Sequence, residues 1–180
     1  MCPIHEARDT TAYIGVGSNI DAQQHVESGL LRLRDRVRIM ALSTFYWSPA
    51  LGHPEQPPYL NGVVRVETLL PARALKFDVL RSIEEAEERV RSDDRYAPRT
   101  LDMDIVIHGT ACVEEPGLKL PDPAVLERGF LFLPLLEVAA AELCWPPTGQ
   151  PLNELSAPRD VESLEADRVF TRRLQERILG

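Results

Sequence analysis

Apolar residues recur at every second position at Ala12, Ile14 and Val16, then at helical spacing at Val26, Leu30, Leu33 and Val37, with Gly17-Ser18-Asn19 between the two runs. A period that changes from two to about 3.6 across a short turn is a strand feeding a helix. The β-forming stretches from Arg38 to Trp47 and from Asn61 to Leu69 flank a segment stiffened by Pro49, Pro54, Pro57 and Pro58, and they predict two strands joined by a fixed loop. A second helix is expected from about Pro71, with Leu75, Val79, Ile83, Ala86 and Val90 on one face. Leu101 to His108 alternates again, Met103, Ile105 and Ile107 pointing one way and Asp102, Asp104, Val106 and His108 the other. The order strand, helix, strand, strand, helix, strand predicts an α+β fold. Its expected form is a ferredoxin-like α/β sandwich, an antiparallel sheet with helices on one face and further helices appended. Asp122 before Pro123 predicts a capped helix start, Pro134 the opening of another helix, and Asp160 to Leu179 a last one.

The 180 residues fit one domain, with a core over about 12–150 and a helical tail over about 151–180. A net charge of −8 argues against an extended nucleic-acid surface, so a phosphate site has to be local. Three scattered cysteines, Cys2, Cys112 and Cys144, suggest neither disulfides nor a zinc site and fit a reducing cytoplasm. No apolar run reaches the roughly 18 residues of a membrane span, and Phe130 to Leu136 is interrupted by Pro134. A monomer with small-molecule partners is expected. Of the 20 basic residues 18 are arginine, and Arg89, Arg91, Arg95 and Arg99 fall within eleven positions, which on charge alone reads as a solvated helix face.

Gly15 to Ile20 lacks the small sixth residue of a dinucleotide fingerprint, and no Walker loop occurs, so a bound nucleotide has to be held by other means. Asp102 and Asp104 lie two apart on a strand, about 6.5 Å between α-carbons and on one face. Two such carboxylates can share divalent ions about 3.5–4 Å apart on phosphate oxygens; alone, the pair reads as a polar strand face. Arg99 lies three residues before it. Glu85 with Arg89 and Glu87 with Arg91 form favourable i, i+4 helix pairs, whereas Glu84 faces Glu88 and needs a cationic partner or another task. Tyr59 and Asn61 can be turn residues, or an aromatic face with an amide suited to a flat heterocycle.

Four ordered segments together resemble the hydroxymethyldihydropterin pyrophosphokinase family, over about Ala12 to Ala139. They are Gly15-Val16-Gly17-Ser18-Asn19; Ser48-Pro49-Ala50-Leu51-Gly52 through Gln56-Pro57-Pro58-Tyr59-Leu60-Asn61; Pro98-Arg99-Thr100-Leu101-Asp102-Met103-Asp104-Ile105; and Leu120-Pro121-Asp122-Pro123 with Arg128 and Phe130. The resemblance implies an enzyme that transfers pyrophosphate from ATP to a pterin hydroxymethyl group and releases AMP, with a non-catalytic pterin- or nucleotide-binding paralogue as the alternative. It implies that Asp102 and Asp104 hold two Mg²⁺ ions and that Arg89 and Arg99 act in catalysis. ATP would be met by Glu84, Arg89, Arg91, Arg99, Ile105, Lys119, Asp122 and Arg128. The pterin would lie between Tyr59 and Phe130, read by Asn61 and by the Ser48, Pro49, Ala50 and Leu51 segment, with Gly17 allowing close approach. Ser92 to Pro98 would be a lid. Glu88 stands where the family commonly has glycine, and Asp122 where it has the histidine of Leu-Pro-His-Pro.

Overall fold

Both faces of β1, Thr10–Ser18, are buried from Ala12 onward, because it is an inner strand of a sheet covered on both sides. In this computed structural model, which describes residues 9–91, 94 and 96–180, β1 leads into α1, Ala22–Arg34. β2, Arg38–Leu42, and β3, Tyr46–Ser48, both pair with the long β4, Tyr59–Thr68. The expected single strand from Arg38 to Trp47 is therefore two, broken at Ser43-Thr44. There Ser43 Oγ accepts from Val63 N–H (2.9 Å) and the Glu137 carboxylate accepts from Thr44 N–H (2.6 Å). β5, Asp102–His108, lies at one edge and Glu165–Ala166 at the other; all pairings in this six-stranded sheet are antiparallel. The mixed α+β class with an antiparallel sheet is as expected.

Helices cover both faces, not one. Ile14, Val16, Leu30, Leu33, Leu75, Leu80, Phe170 and Leu174 pack on the first face. On the second, Tyr13, Val63, Val106 and Ile107 meet Phe132, Leu135, Trp145 and Leu152. A bulge between Tyr13 and Ile14 explains the split of β5. Tyr13 pairs with Ile107 and Ile14 with Ile105, so Val106 is passed over, and Ile107 joins the face opposite to Met103 and Ile105.

The second helix is shorter than its periodicity predicts. It consists of α2, Ala72–Ala74, a π-helical stretch Leu75–Leu80, and α3, Arg81–Ala86. Glu88 adopts a left-handed conformation (φ 58°). Its N–H bonds to Glu85 O and the N–H of Arg89 to Glu84 O, both at 3.0 Å, which is the Schellman closure of a helix. A position commonly filled by glycine in the resembled family is thus left-handed here. The turn throws Val90 outward to 81% exposure and leaves Ala86 exposed as well. Glu87, expected on the surface, is buried instead. It accepts from Ser28 (2.6 Å) and Arg32 (2.8 Å) and bonds His25 (2.9 Å), and although burial alone would raise its pKa, these bonds hold it low.

Asp122 caps the short helix Pro123–Leu126 by accepting from Ala124 N–H at 2.9 Å. α4, Gly129–Val138, runs through Pro134 instead of starting there. The last helix, α5, is Arg168–Leu179; the residues before it form a 3₁₀ turn, Arg159–Ser163, and the edge strand. Asp167 marks the boundary by capping Phe170 N–H at 3.0 Å.

Candidate active site

Gly17 is paired with Asn61 of β4 on one side and Asp102 of β5 on the other, while Gly15 is paired with Val63 and Asp104. Residues opposite one another in a sheet share a face, so Gly17 leaves a bare floor between the Asn61 and Asp102 side chains, while the missing β-carbon of Gly15 makes room for Leu131. A β-carbon on Gly17 would stand 2.7 Å from Asn61 Oδ1, too close to coexist with it. The floor opens into a cleft of about 460 Å³.

At one end Tyr59, Asn61, Phe130, Leu51, Ser48 and Pro49 form the walls. Asn61 donates to Ser48 Oγ at 2.9 Å, which fixes the amide plane. Tyr59 donates to Ala97 O at 3.1 Å, and burial pushes its pKa up, so it stays a donor. Ala50 is buried behind the wall. Two aromatic side chains and a fixed amide lining one cleft suit a flat, polar ring.

The other end is charged. Asp102 sits between Arg89 and Arg99, one guanidinium to each carboxylate oxygen. Burial pushes its pKa up, but the two arginines outweigh that and hold the carboxyl below its ordinary value. Behind it Glu84, 2% exposed, accepts from Met103 N–H at 2.9 Å and pairs with Arg89 and Arg91. Burial, opposed by Met103 N–H and the two arginines, raises the Glu84 pKa. β5 is an edge strand, and Glu84 satisfies an N–H on it that would otherwise be unpaired. The Glu85–Arg89 and Glu87–Arg91 pairs expected from helical spacing are replaced by this arrangement, because the helix has ended before the arginines. Asp104 is held by Lys76, whose Nζ lies 2.7 and 2.9 Å from its two oxygens.

Asp102 and Asp104 both line the cleft with their side chains about a third and a half exposed. Hard carboxylate oxygens open to a cleft fit Mg²⁺, which commonly takes one or two carboxylates and completes its shell with water and phosphate. Among the described residues no group of three or more His, Cys, Asp or Glu could hold a metal ion, so further ligands would come from the substrate.

Asp122, Ala124 and Arg128 form the far wall. Burial raises the pKa of Asp122; Ala124 N–H and Lys76 lower it, while Asp104 and Asp102 raise it further. Of the residues expected to meet the nucleotide, Arg99, Asp122 and Arg128 line the cleft, Glu84, Arg89 and Arg91 form the cluster beside Asp102 without lining it, and two others stand apart. Ile105 is 1% exposed in the core, and Lys119 is exposed and bonded to Glu114 at 3.0 Å. Ser92, Asp93 and Arg95 of the expected lid lie outside the described residues.

Four residues beyond the expected set shape the site. Lys76 had no motif to mark it. Asn19 closes the Gly-x-Gly-Ser-Asn run and joins the two loops around the cleft: its Oδ1 accepts from Arg99 N–H at 2.8 Å, and its amide donates to Gln56 Oε1 (3.2 Å) and Pro57 O (3.3 Å). Gln56 in turn donates to Tyr96 O at 3.1 Å. The Tyr96 ring lies on Gly52, whose φ of +76° and missing β-carbon let the two loops meet.

Arginines set against paired carboxylates, one strand away from a slot for a flat ring, define an enzyme that moves phosphoryl groups onto a small heterocycle. The family model for 7,8-dihydro-6-hydroxymethylpterin-pyrophosphokinase matches residues 13–140, and the chain belongs to that family. The 2-amino-4-hydroxy-6-hydroxymethyldihydropteridine pyrophosphokinase of Haemophilus influenzae is 35% identical over 133 residues, covering 72% of this chain and 82% of its own. That of Pseudomonas aeruginosa is 35% identical over 156 residues, covering 85% and 94%. Among solved structures, the HPPK-DHPS protein of Plasmodium falciparum with pteroate superposes on 98% of this chain and 46% of its own, with a TM-score of 0.62 and 11% identity, a likeness of fold.

Proposed function

We propose that this cleft transfers the terminal pyrophosphoryl group of ATP to the hydroxymethyl oxygen of 6-hydroxymethyl-7,8-dihydropterin, giving the pterin diphosphate and AMP in folate biosynthesis. The observation that carries the reading is the register at Gly17, which sets Asn61 and Asp102 about 10 Å apart, two strand spacings, on one open floor. The ring stacks between Tyr59 and Phe130, its amide edge read by Asn61 and by the backbone of Ser48, Ala50 and Leu51. Its arm then points along Gly17 toward the carboxylates. Arg89, Arg91 and Arg99 turn toward the phosphates, and the hydroxymethyl oxygen attacks the β-phosphorus in line with the departing AMP. Two Mg²⁺ ions, held by Asp102 and Asp104, would withdraw charge from the phosphate oxygens. The residues themselves contribute position and fixed charge. We assign the chain to one ferredoxin-like domain, working as a cytoplasmic monomer. The order β5, β1, β4, β2 and the burial of Phe170 and Leu174 from the C-terminal helix against the sheet support the domain assignment.

Incubated with ATP, Mg²⁺ and the pterin, the protein is expected to release AMP, and to release none when either the metal or the pterin is left out. ADP as the nucleotide product would overturn the assignment. Asn61→Ala is expected to weaken pterin binding by about 1–3 kcal/mol, since a buried ring edge loses its partner. Tyr59→Phe keeps the stacking face and should cost less, although it also cuts the bond to Ala97. Calorimetry with the pterin and a non-hydrolysable ATP analogue ranks the two, and the reverse order would show that the slot does not hold the ring.

A further inference from the structure

We propose that Lys76, bonded to Asp104 in this structure, is a phosphate-contacting residue of this site, handed to the phosphate oxygens when a metal-bound triphosphate claims that carboxylate. The inference rests on the pyrophosphokinase reading and extends it to a residue outside the motifs.

Lys76 is one of only two lysines in the chain, and it enters the site from the π-helical stretch. Its side chain is 15% exposed, against 49% for Asp104. The ammonium therefore approaches from the protein side, and the carboxylate faces the cleft. An ammonium bonded to both oxygens at 2.7 and 2.9 Å takes two of the carboxylate's roughly four lone-pair sites, and a divalent ion on the same carboxylate would repel it. A metal at Asp104 would therefore compete with this contact and favour its release.

The displaced charge needs a new anion, because so enclosed an ammonium has little water to turn to. Asp122 is near enough to feel Lys76, and it feels Asp104 and Asp102 as well. Asp122 lines the same cleft and would repel a triphosphate. A compact charge on a four-carbon stem can move from Asp104 to phosphate oxygens beside Asp122, and there it offsets the acid while it binds the substrate.

Two titrations separate this role from that of a plug. A Mg²⁺-loaded non-hydrolysable ATP analogue should bind Lys76→Met and Lys76→Gln at least about tenfold more weakly than the unaltered protein, as loss of a charge-assisted contact requires. Mn²⁺ alone should bind both variants as tightly or more tightly, because its competitor is gone. Gln keeps the polarity and most of the length, and melting curves show that each variant is folded. If the variants bind the loaded analogue as well as or better than the unaltered protein, Lys76 only occupies the Asp104 carboxylate and the proposal fails. If the unaltered protein itself does not bind the analogue, the pyrophosphokinase reading falls and this inference with it.

Discussion

Asp102→Asn is expected to keep the fold and lower turnover by about 100-fold or more, the scale on which loss of one charge-stabilising group in a preorganised site is felt. An amide oxygen is a poor Mg²⁺ ligand, and without the negative charge Arg89 and Arg99 face each other across a neutral group. The fold should survive because Arg89 keeps Glu84 as a second partner. Rates of AMP formation and a melting curve separate the two effects, and a rate within about threefold of the original would remove Asp102 from the chemistry. The same substitution should alter acid sensitivity. The arginines hold the Asp102 pKa below its unfolded value of about 3.9, so its contribution to stability is complete above that pH and is lost as the pH falls through the lower folded value. Melting temperatures taken below pH 4 should therefore fall less steeply in Asp102→Asn.

Glu84→Ala should be the most destabilising change in the site, by about 3–5 kcal/mol, the cost of removing one partner from a buried charge cluster. It leaves the Met103 N–H without an acceptor, and it takes one of the two carboxylate partners from Arg89. Where the variant still folds, its KM for ATP should rise, because Arg89 and Arg91 are no longer held in place. Glu84→Gln should cost much less. Burial has already raised the Glu84 pKa, which means that the ion is maintained against a desolvation penalty that an amide avoids. Gln can keep the acceptor for Met103 N–H and Arg89 but not the one for Arg91, so equal losses in the two variants would show that charge and the Arg91 contact, and not the bonds to Met103 and Arg89, are what Glu84 supplies.

The elements most legible in the sequence were those with one period and one exposed face. α1 was marked by Val26, Leu30 and Leu33, all fully buried, and the Asp122 cap by the proline after it. The D-x-D pair showed its common face, because side chains two apart on a strand have no other choice. Local patterns failed where a distant partner decided the outcome. Nothing near Glu87 in the sequence announces that Ser28, His25 and Arg32 of α1 will bury it. Nothing near Val90 says that a left-handed Glu88 will end the helix four residues earlier.

The sequence by itself determined which chemical groups this chain can bring to a site, the order of its main strands and helices, and the family to which it belongs. Each of these follows from residue type and short-range spacing. Only the tertiary structure decided which groups meet: Asn61 and Asp102 flanking one glycine, Glu84 holding two arginines behind Asp102, and Lys76 on Asp104. Register between strands and closure between helices are set by packing over the whole core, and a buried charge takes whatever partner that packing places within reach.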